Sequence, residues 1–292
     1  MKMENLFPEN LKIYLGNNMN ILITGGNGFI AANIYKTIKD SHNVHLTNRQ
    51  TLDVLDRIQV EKFFDDNRID MVIHAAVSGG SRIKEDDVRT LINNLAMFDN
   101  LVQNKHKYGH LIHFGSGAEF DRRGDIVSAK EDAESCPIDY YGLSKKIIKR
   151  EIDKIENFFN LRIFGCFGED ELETRFIKSA VKSVKSGHAI KIHQNRYMDF
   201  FYIDDLCKVI EYYIENISKK DLPKDMNLCY NKHKSLLDMA NKINKLMGRS
   251  CENVVVQQAG YYTEYTGNGK TLGSLGLELD GLDKGLERCI NV

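Results

Sequence analysis

The first half of the chain alternates short apolar runs with apolar residues at helical spacing. The run Asn20–Thr24 stops at a glycine cluster, and Phe29, Ile30, Ile34 and Ile38 follow at the spacing of a helix. This pattern predicts a strand, a tight turn and a helix that ends near Asp40. Four later runs predict further strands: Val44–Thr47, Met71–Ala76, His110–Gly115 and Leu161–Phe164. The run at Met71 is continuously apolar, as expected of a strand buried in a parallel sheet.

Helices are predicted between these strands, from about Asp56 to Asn67, Asp87 to Lys107 and Asp139 to Phe158, with Asp56 as a helix N-cap. Alternating strands and helices indicate an α/β fold with a Rossmann-type, doubly wound parallel sheet. Beyond the fifth strand the alternation loosens, and the pattern predicts helices at 176–185, 203–217 and 236–247 and short strands at 189–192, 227–230 and 254–257. We therefore expect an N-terminal extension (1–19), a dinucleotide-binding domain (20–165) and a smaller C-terminal α/β lobe that mainly binds substrate (166–292).

The glycine cluster after the first strand is typical of a phosphate-binding turn. Gly25 can adopt a turn conformation closed to other residues, Gly28 lets the backbone approach a pyrophosphate, and Ala31 keeps the helix close to the strand. The free N–H groups of the helix start favour an anion. Such a match can also be a simple turn, but the strand before it and the helix after it favour dinucleotide binding.

The end of the second strand bears on the choice of cofactor. In this fold an acid at that place bonds the ribose 2′-hydroxyl of NAD, whereas the chain has Thr47-Asn48-Arg49. An arginine there would pair with a 2′-phosphate, so NADP(H) is favoured and NAD(H) is possible. The alternative is that Arg49 is only a solvated side chain.

On the third strand, His74 is interpreted as a packed core histidine.

Three residues could carry proton chemistry. Tyr141 and Lys145 lie four residues apart near the start of a helix, and Ser116 ends the fourth strand. We expect the Lys145 ammonium to lower the phenol pKa of Tyr141, so that Tyr141 exchanges a proton with a carbinol oxygen. Ser116 would hydrogen-bond the same oxygen. The roughly 20 residues after Ser116 look polar and irregular, as functional loops often do.

Composition narrows the class of protein. The chain has 292 residues, a formal net charge of −1 and no long basic run, so neither nucleic acid nor a membrane is expected as a partner. Six scattered cysteines suggest neither a metal site nor disulfides. With no signal-peptide pattern and no run long enough to span a membrane, a cytoplasmic location is expected.

With these residues placed, the chain resembles the extended short-chain dehydrogenase/reductase family of NAD(P)-dependent sugar-nucleotide epimerases, dehydratases and reductases. The resemblance covers about residues 19–290 and rests on these segments: Thr24–Ile30, Asp53-Val54, Ala75-Ala76, Gly115–Gly117, Tyr141–Lys145 and Asp199–Asp205. It implies a nucleotide-sugar substrate and a homodimer formed through the helices at 87–107 and 139–158. It also implies cofactor contacts by Gly25, Gly28, Phe29, Ile30, Arg49, Asp53, Val54, Ala75, Ala76, Tyr141 and Lys145.

Within that family the chain looks most like the GDP-fucose synthase branch, but it lacks two residues that the branch uses for epimerisation. The cysteine that the branch uses for epimerisation is replaced by Ala118, and its histidine falls near 173–175, where no histidine occurs. Dehydratases of the family carry an Asp-Glu pair where this chain has Gly117-Ala118, and we interpret the nearby Glu119 as a loop carboxylate. Since removing a proton from carbon requires a base, the expected reaction is reduction without epimerisation.

The expected activity is therefore NADPH-dependent reduction of the 4-keto group of a nucleotide sugar, GDP-linked and deoxy by resemblance, in the synthesis of a surface polysaccharide. One alternative is an NAD-dependent 4-epimerase or 4-dehydrogenase, and another is a non-catalytic dinucleotide-binding sensor. The family's usual asparagine after the fifth strand is Gly165, and the arginine before its Asp-Phe pair is Met198. Other residues must therefore hold the substrate, and the candidates are Ser78, Ser116, Lys182, Arg196 and Lys270.

Overall fold

The computed structural model describes residues 18–80, 85–251 and 253–291. The strands in these ranges are β1 (Asn20–Thr24), β2 (Asn43–Leu46), β3 (Met71–His74), β4 (His110–Ser116), β5 (Ile126–Ala129), β6 (Phe158–Ile163), β7 (Cys166–Phe167), β8 (Ile190–Asn195), β9 (Tyr197–Met198), β10 (Phe201–Tyr202), β11 (Asp225–Leu228), β12 (Lys234–Ser235), β13 (Val254–Tyr261) and β14 (Tyr265–Gly267). The helices are α1 (Phe29–Ile38), α2 (Arg57–Asp66), α3 (Val88–Gln103), α4 (Tyr140–Asp153), α5 (Phe176–Lys185), α6 (Ile203–Asn216), α7 (Leu236–Leu246), α8 (Lys270–Gly273) and α9 (Gly281–Asn291).

A six-stranded parallel sheet, in the order β11-β6-β4-β3-β1-β2, forms the centre of the molecule. Helices α1 and α6 bury their apolar sides on one face, and α2, α3 and α4 bury theirs on the other. The predicted doubly wound α/β fold is therefore confirmed. Because all these strands run the same way, their carboxyl ends share one edge, where ligands of such sheets bind.

The C-terminal half adds smaller sheets at that edge. One pairs β10 with β7, one pairs β13 with β8, and a four-stranded sheet has the order β12-β9-β14-β5. Strand β11 instead joins the central sheet beside β6, in parallel register from Asp225↔Asn160 to Leu228↔Ile163. The segment after residue 165 thus contributes β11 to the central sheet and most of the strands of the smaller sheets.

Several predicted boundaries were wrong. The helix expected to reach Phe158 ends at Asp153, because Phe158 and Phe159 are buried and begin β6, which pairs with β4. The helix expected to reach Lys107 ends at Gln103, and a 3₁₀ turn covers Lys105–Lys107. The segment after Ser116 is irregular only in part, since a 3₁₀ turn and β5 lie within it, and β5 pairs with the distant β14.

Helices α5, α6 and α7 lie within a residue of their predicted ends, whereas α8 and α9 were not predicted. Asp56 is the N-cap of α2 as predicted. Its side chain accepts hydrogen bonds from the backbone N–H groups of Ile58 and Gln59. The N-terminal extension falls almost entirely outside the described residues. None of the helices in the described ranges combines the length and apolar character needed to cross a membrane.

Candidate active site

The turn after β1 has the geometry of a pyrophosphate cradle. Gly25 has φ +76°, in the region that favours glycine, and its carbonyl accepts a 2.8 Å hydrogen bond from Gly28 N–H. Helix α1 begins at Phe29, next to Ile30, and its N-cap Gly28 supplies no capping side chain. Since the first turn also carries no acidic residue, its N–H groups and dipole suit an anion. These residues fit a bound dinucleotide.

The end of β2 lies beside this turn. Gly26 N–H donates to Thr47 O at 2.7 Å, and Asn48 Nδ2 donates to Asn27 Oδ1 at 3.2 Å. Arg49 follows on the exposed surface, next to the cradle. This placement is compatible with a contact between Arg49 and the 2′-phosphate of a cofactor.

The other proposed cofactor residues lie at the end of β3 and in the loop after β2. A Cβ atom on Gly25 would lie 2.7 Å from Ala76 N and 2.9 Å from the carbonyl carbon of Ala75, so the cradle is packed against the end of β3. Val54 is buried, and the Asp53 carboxylate accepts the Leu55 N–H at 3.1 Å. These contacts stabilise a turn in the loop after β2.

The structure brings Ser116, Tyr141 and Lys145 together. Ser116 ends β4, and its side chain is hydrogen-bonded to the Tyr141 phenol. Lys145 lies one turn further along α4, with its Nζ 5.8 Å from the centroid of the Tyr141 ring. Gly80 completes the surroundings, because a Cβ there would lie 2.8 Å from the same ring.

The Tyr141 phenol is held in its protonated form. Burial raises its pKa to about 12, although the Ser116 hydrogen bond and the Arg122 charge act in the other direction. We expected the Lys145 ammonium to lower this pKa, but desolvation outweighs any such effect here. Tyr141 is therefore suited to donate a proton at neutral pH.

Lys145 is buried beneath Tyr141. Its Nζ donates to Phe114 O at 2.7 Å and lies 3.4 Å from His113 Nε2. Burial lowers the pKa of Lys145 to about 8, and the Glu119 charge opposes that shift. His74 is the core histidine that the sequence predicted, and its Nδ1 lies 2.9 Å from Thr24 Oγ1. Burial and the charge of Lys145 lower the pKa of His74 to about 3.

The sequence as a whole resembles that of known proteins. Residues 21–229 match the NAD dependent epimerase/dehydratase family. The chain belongs to that family. The ADP-L-glycero-D-manno-heptose-6-epimerase of Brachyspira hyodysenteriae is 22% identical over 283 residues, which cover 84% of this chain and 88% of the relative. The GDP-6-deoxy-D-talose 4-dehydrogenase of Aggregatibacter actinomycetemcomitans is 22% identical over 226 residues, 72% of this chain and 74% of the relative.

Solved structures share the fold over nearly the whole chain. The GDP-mannoheptose C4 reductase of Campylobacter jejuni, whose structure contains NADP, superposes with a TM-score of 0.80 at 20% identity and covers 94% of this chain and 98% of that one. The TM-score shows a common fold, and at an identity this low the similarity extends no further than the fold. The reaction of this member has to be argued from its own residues.

Among the candidate substrate cations, Arg196 is the one that contacts the surroundings of Ser116. Its guanidinium lies 5.1 Å from the centroid of the Tyr262 ring and 5.6 Å from that of Tyr265. The Tyr265 hydroxyl reaches the turn after Ser116, since a Cβ on Gly117 would lie 2.7 Å from it. Arg196 Nε is buried and makes no hydrogen bond to any described residue. A buried N–H without a partner makes Arg196 a candidate for binding an anion.

The remaining substrate candidates differ in their surroundings. Ser78 is half-buried, two residues before the Gly80 that lies against the Tyr141 ring. The backbone N–H of Ser78 donates to Asn94 Oδ1 at 2.8 Å. Lys182 is exposed on α5 and pairs with Glu173. Lys270 is exposed at the start of α8. Within the described ranges, no contact joins Lys182 or Lys270 to the catalytic group.

Two features of the site escaped the sequence analysis. Glu119 is buried and forms an ion pair with the buried Arg162, so it is more than a loop carboxylate. Arg122 pairs with Asp139, the N-cap of α4, and its charge reaches Tyr141. A charged residue inside the apolar strand Leu161–Phe164 was the one available signal, because a buried arginine requires a partner.

Proposed function

We propose that this protein reduces the 4-keto group of a nucleotide-activated sugar with NADPH and does not epimerise the sugar. The observation that carries the proposal is a protonated Tyr141 that is hydrogen-bonded to Ser116. The turn that follows Ser116 contains the buried Ala118, which has no ionisable group. Reduction of a ketone requires an acid at the carbonyl oxygen, and Tyr141 is in the acid form. We place the product in the synthesis of a modified sugar for a surface polysaccharide.

Tyr141 and Ser116 perform the proton chemistry. NADPH, held by the glycine turn, would supply the hydride. The Ser116 hydroxyl binds the substrate oxygen and stabilises the charge that develops on it, while the Tyr141 hydroxyl donates its proton to form the alcohol. The Lys145 ammonium, held by Phe114 O, then stabilises the resulting phenolate until a proton from solvent replaces the one transferred.

Epimerisation would require a base for a proton on carbon. Ala118 is buried where the related branch has a cysteine, and it cannot act as a base. At 173–175, where a histidine is expected in that branch, Glu173 pairs with Lys182, and Arg175 is the N-cap of α5. These assignments support a reaction confined to the ketone.

The reverse reaction, oxidation of an alcohol as in the 4-dehydrogenase relative, is less well supported. It requires Tyr141 to act as a base, whereas burial raises its pKa to about 12. An NAD-dependent 4-epimerase requires the same base during its oxidation step. A non-catalytic sensor would have no use for the buried Lys145 beneath Tyr141.

A homodimer through α3 and α4 stays a prediction, supported by the exposed Val88 and Ile92 on α3.

The first experiment follows NADPH absorbance with a panel of 4-keto nucleotide sugars that includes GDP-linked 6-deoxyhexoses and heptoses. We expect oxidation of NADPH with at least one GDP-linked substrate, a higher kcat/KM with NADPH than with NADH because Arg49 can pair with the 2′-phosphate, and one product stereoisomer by NMR. No turnover with any substrate would refute the proposal. Tightly retained NAD without net turnover would favour the 4-epimerase.

Replacing Arg196 by alanine tests the substrate site. A cation with an unpaired, buried Nε is suited to a diphosphate, so R196A should raise KM for the nucleotide sugar about 10- to 100-fold, a loss of roughly 1.4–2.8 kcal/mol, with a smaller change in kcat. Lys191→Ala, exposed on β8, is the control and should leave KM within about twofold. An unchanged KM in R196A would assign the diphosphate to other residues.

A further inference from the structure

Glu119 lies beneath the catalytic serine. Its Oε1 accepts the Ser116 backbone N–H at 3.0 Å, and the Ser116 Oγ accepts the Ala118 N–H at 3.2 Å, which together form a capping box on a single 3₁₀ turn. Glu119 is only 1% exposed. The conformation of Ser116 is therefore coupled to a buried carboxylate that touches neither cofactor nor substrate in the proposed reaction.

The turn has little room to move. A Cβ atom on Gly115 would lie 2.4 Å from Glu119 Oε1, so the carboxylate occupies the space that any other residue would fill. On the opposite side, a Cβ on Gly142 would lie 2.2 Å from Ala118 O, because the turn packs directly against the start of α4. Gly142 follows Tyr141, and a displacement of this turn is therefore transmitted to the serine and tyrosine alike.

Arg162 holds the Glu119 carboxylate in place. Its Nε and Nη2 donate to Glu119 Oε2 at 3.0 and 2.7 Å. The same guanidinium donates to Asp225 Oδ2 at 3.0 Å and to Asn227 Oδ1 at 2.8 Å on the neighbouring β11. The buried guanidinium thus joins the catalytic turn to two strands of the central sheet. Such a pair is costly to bury and adds little net stability, which makes a role in fixing geometry the better explanation.

We propose that Glu119 is a positioning residue for the reaction: its carboxylate, clamped by Arg162, holds the Ser116 backbone so that the Ser116 hydroxyl meets Tyr141. The proposal rests on the proposed function, since it assumes that Ser116 and Tyr141 act on one oxygen. Glu119 touches neither reacting group, and it acts through Ser116 and through its charge.

The charge of Glu119 reaches both titrating groups. It raises the pKa of Tyr141 and the pKa of Lys145. The other groups that face this pair are Ser116, Tyr265 and Arg122 around Tyr141, and His74 and His113 around Lys145. Removing the carboxylate charge should therefore make both the phenol and the ammonium lose their protons at lower pH. An amide in its place also presents an N–H group to Arg162, which cannot accept it.

The test compares Glu119→Gln with Asp225→Asn. In E119Q we expect kcat to fall about 10- to 100-fold, as for a displaced catalytic group, and the alkaline limb of the kcat profile to move to lower pH. D225N removes the other carboxylate on Arg162 and should lower Tm while leaving the alkaline limb in place. An E119Q profile that coincides with that of the wild type would overturn the proposal, whatever happens to Tm.

A second measurement does not depend on substrate. The absorbance difference at 295 nm between each protein and its Tyr141→Phe counterpart reports the ionisation of Tyr141 alone, and it should shift to lower pH in E119Q. If the wild type reduces no substrate but this shift occurs, the proposed function fails and the role of Glu119 stands. If E119Q does not fold, the double variant Glu119→Gln/Arg162→Met removes both buried charges, and an unshifted titration there would overturn the proposal.

Discussion

Replacing Tyr141 by phenylalanine is expected to lower kcat for reduction of the 4-keto sugar about 10²- to 10⁴-fold, the usual contribution of a positioned general acid. The reason is that the Tyr141 hydroxyl is the proton donor, hydrogen-bonded to Ser116 and held protonated by a pKa near 12. The phenylalanine ring fills the same space against Gly80, so the fold should be unaffected. Initial rates of NADPH oxidation at saturating substrate measure the effect.

The neighbouring Tyr140 provides the matched control. It is the first residue of α4 and is 42% exposed, and Lys145 does not lie one turn beyond it. Tyr140→Phe should therefore retain kcat within about twofold. Both variants should bind NADPH as the wild type does, measured by quenching of nucleotide fluorescence. Comparable losses in the two variants, or full activity in Y141F, would remove Tyr141 from the mechanism.

The state of Tyr141 also favours one direction of catalysis. A phenol with a pKa near 12 gives up its proton only when a stronger base forms beside it, and the alkoxide that develops as hydride reaches a ketone is such a base. The opposite reaction needs the phenolate as a resting state, and the ammonium meant to stabilise it has a pKa near 8 because it is buried. The burial of Tyr141 and Lys145 is therefore consistent with the proposed reduction at neutral pH.

Local sequence patterns were sufficient to predict most of the elements of the central sheet. The run that ends at Gly25 and the apolar run at Met71 predicted β1 and β3 because each signal lies within a few residues. Strand β5 was missed because its partner β14 lies about 140 residues away and the strand itself has only four residues. The start of β6 was misplaced because Phe158 and Phe159 suit the end of a helix and the start of a strand equally well.

The candidate site was likewise predicted only where local sequence determines it. Ser116, Tyr141 and Lys145 were predicted and lie together, because one helical turn and one strand end determine their positions. The partnership of Glu119 with Arg162 spans 43 residues, and nothing local distinguishes that glutamate from an exposed one. The raised pKa of Tyr141 was missed for a similar reason, since desolvation is a property of the assembled fold and of no single segment.

Replacing Gly25 by alanine is expected to destabilise the protein by about 3 kcal/mol and to abolish NADPH binding. Its φ of +76° costs a residue with a side chain about 1–2 kcal/mol, and the new methyl group would lie 2.7 Å from Ala76 N and 2.8 Å from Ala76 Cα. These are backbone atoms at the end of β3, so the strain cannot be relieved by rotating a side chain. The turn must shift, and its N–H groups then no longer converge on one anion.

Gly124→Ala separates this effect from the general cost of losing a glycine. A Cβ atom there would meet no heavy atom within 4 Å, so the free energy of unfolding should change by less than about 0.5 kcal/mol. Urea denaturation measures stability, and NADPH titration of the folded fraction measures binding. If G25A matched G124A in both, the turn would not be the cofactor cradle. If G25A lost stability but bound NADPH normally, the pyrophosphate would lie elsewhere, because the contacts that clash are the ones that close the cradle against β3.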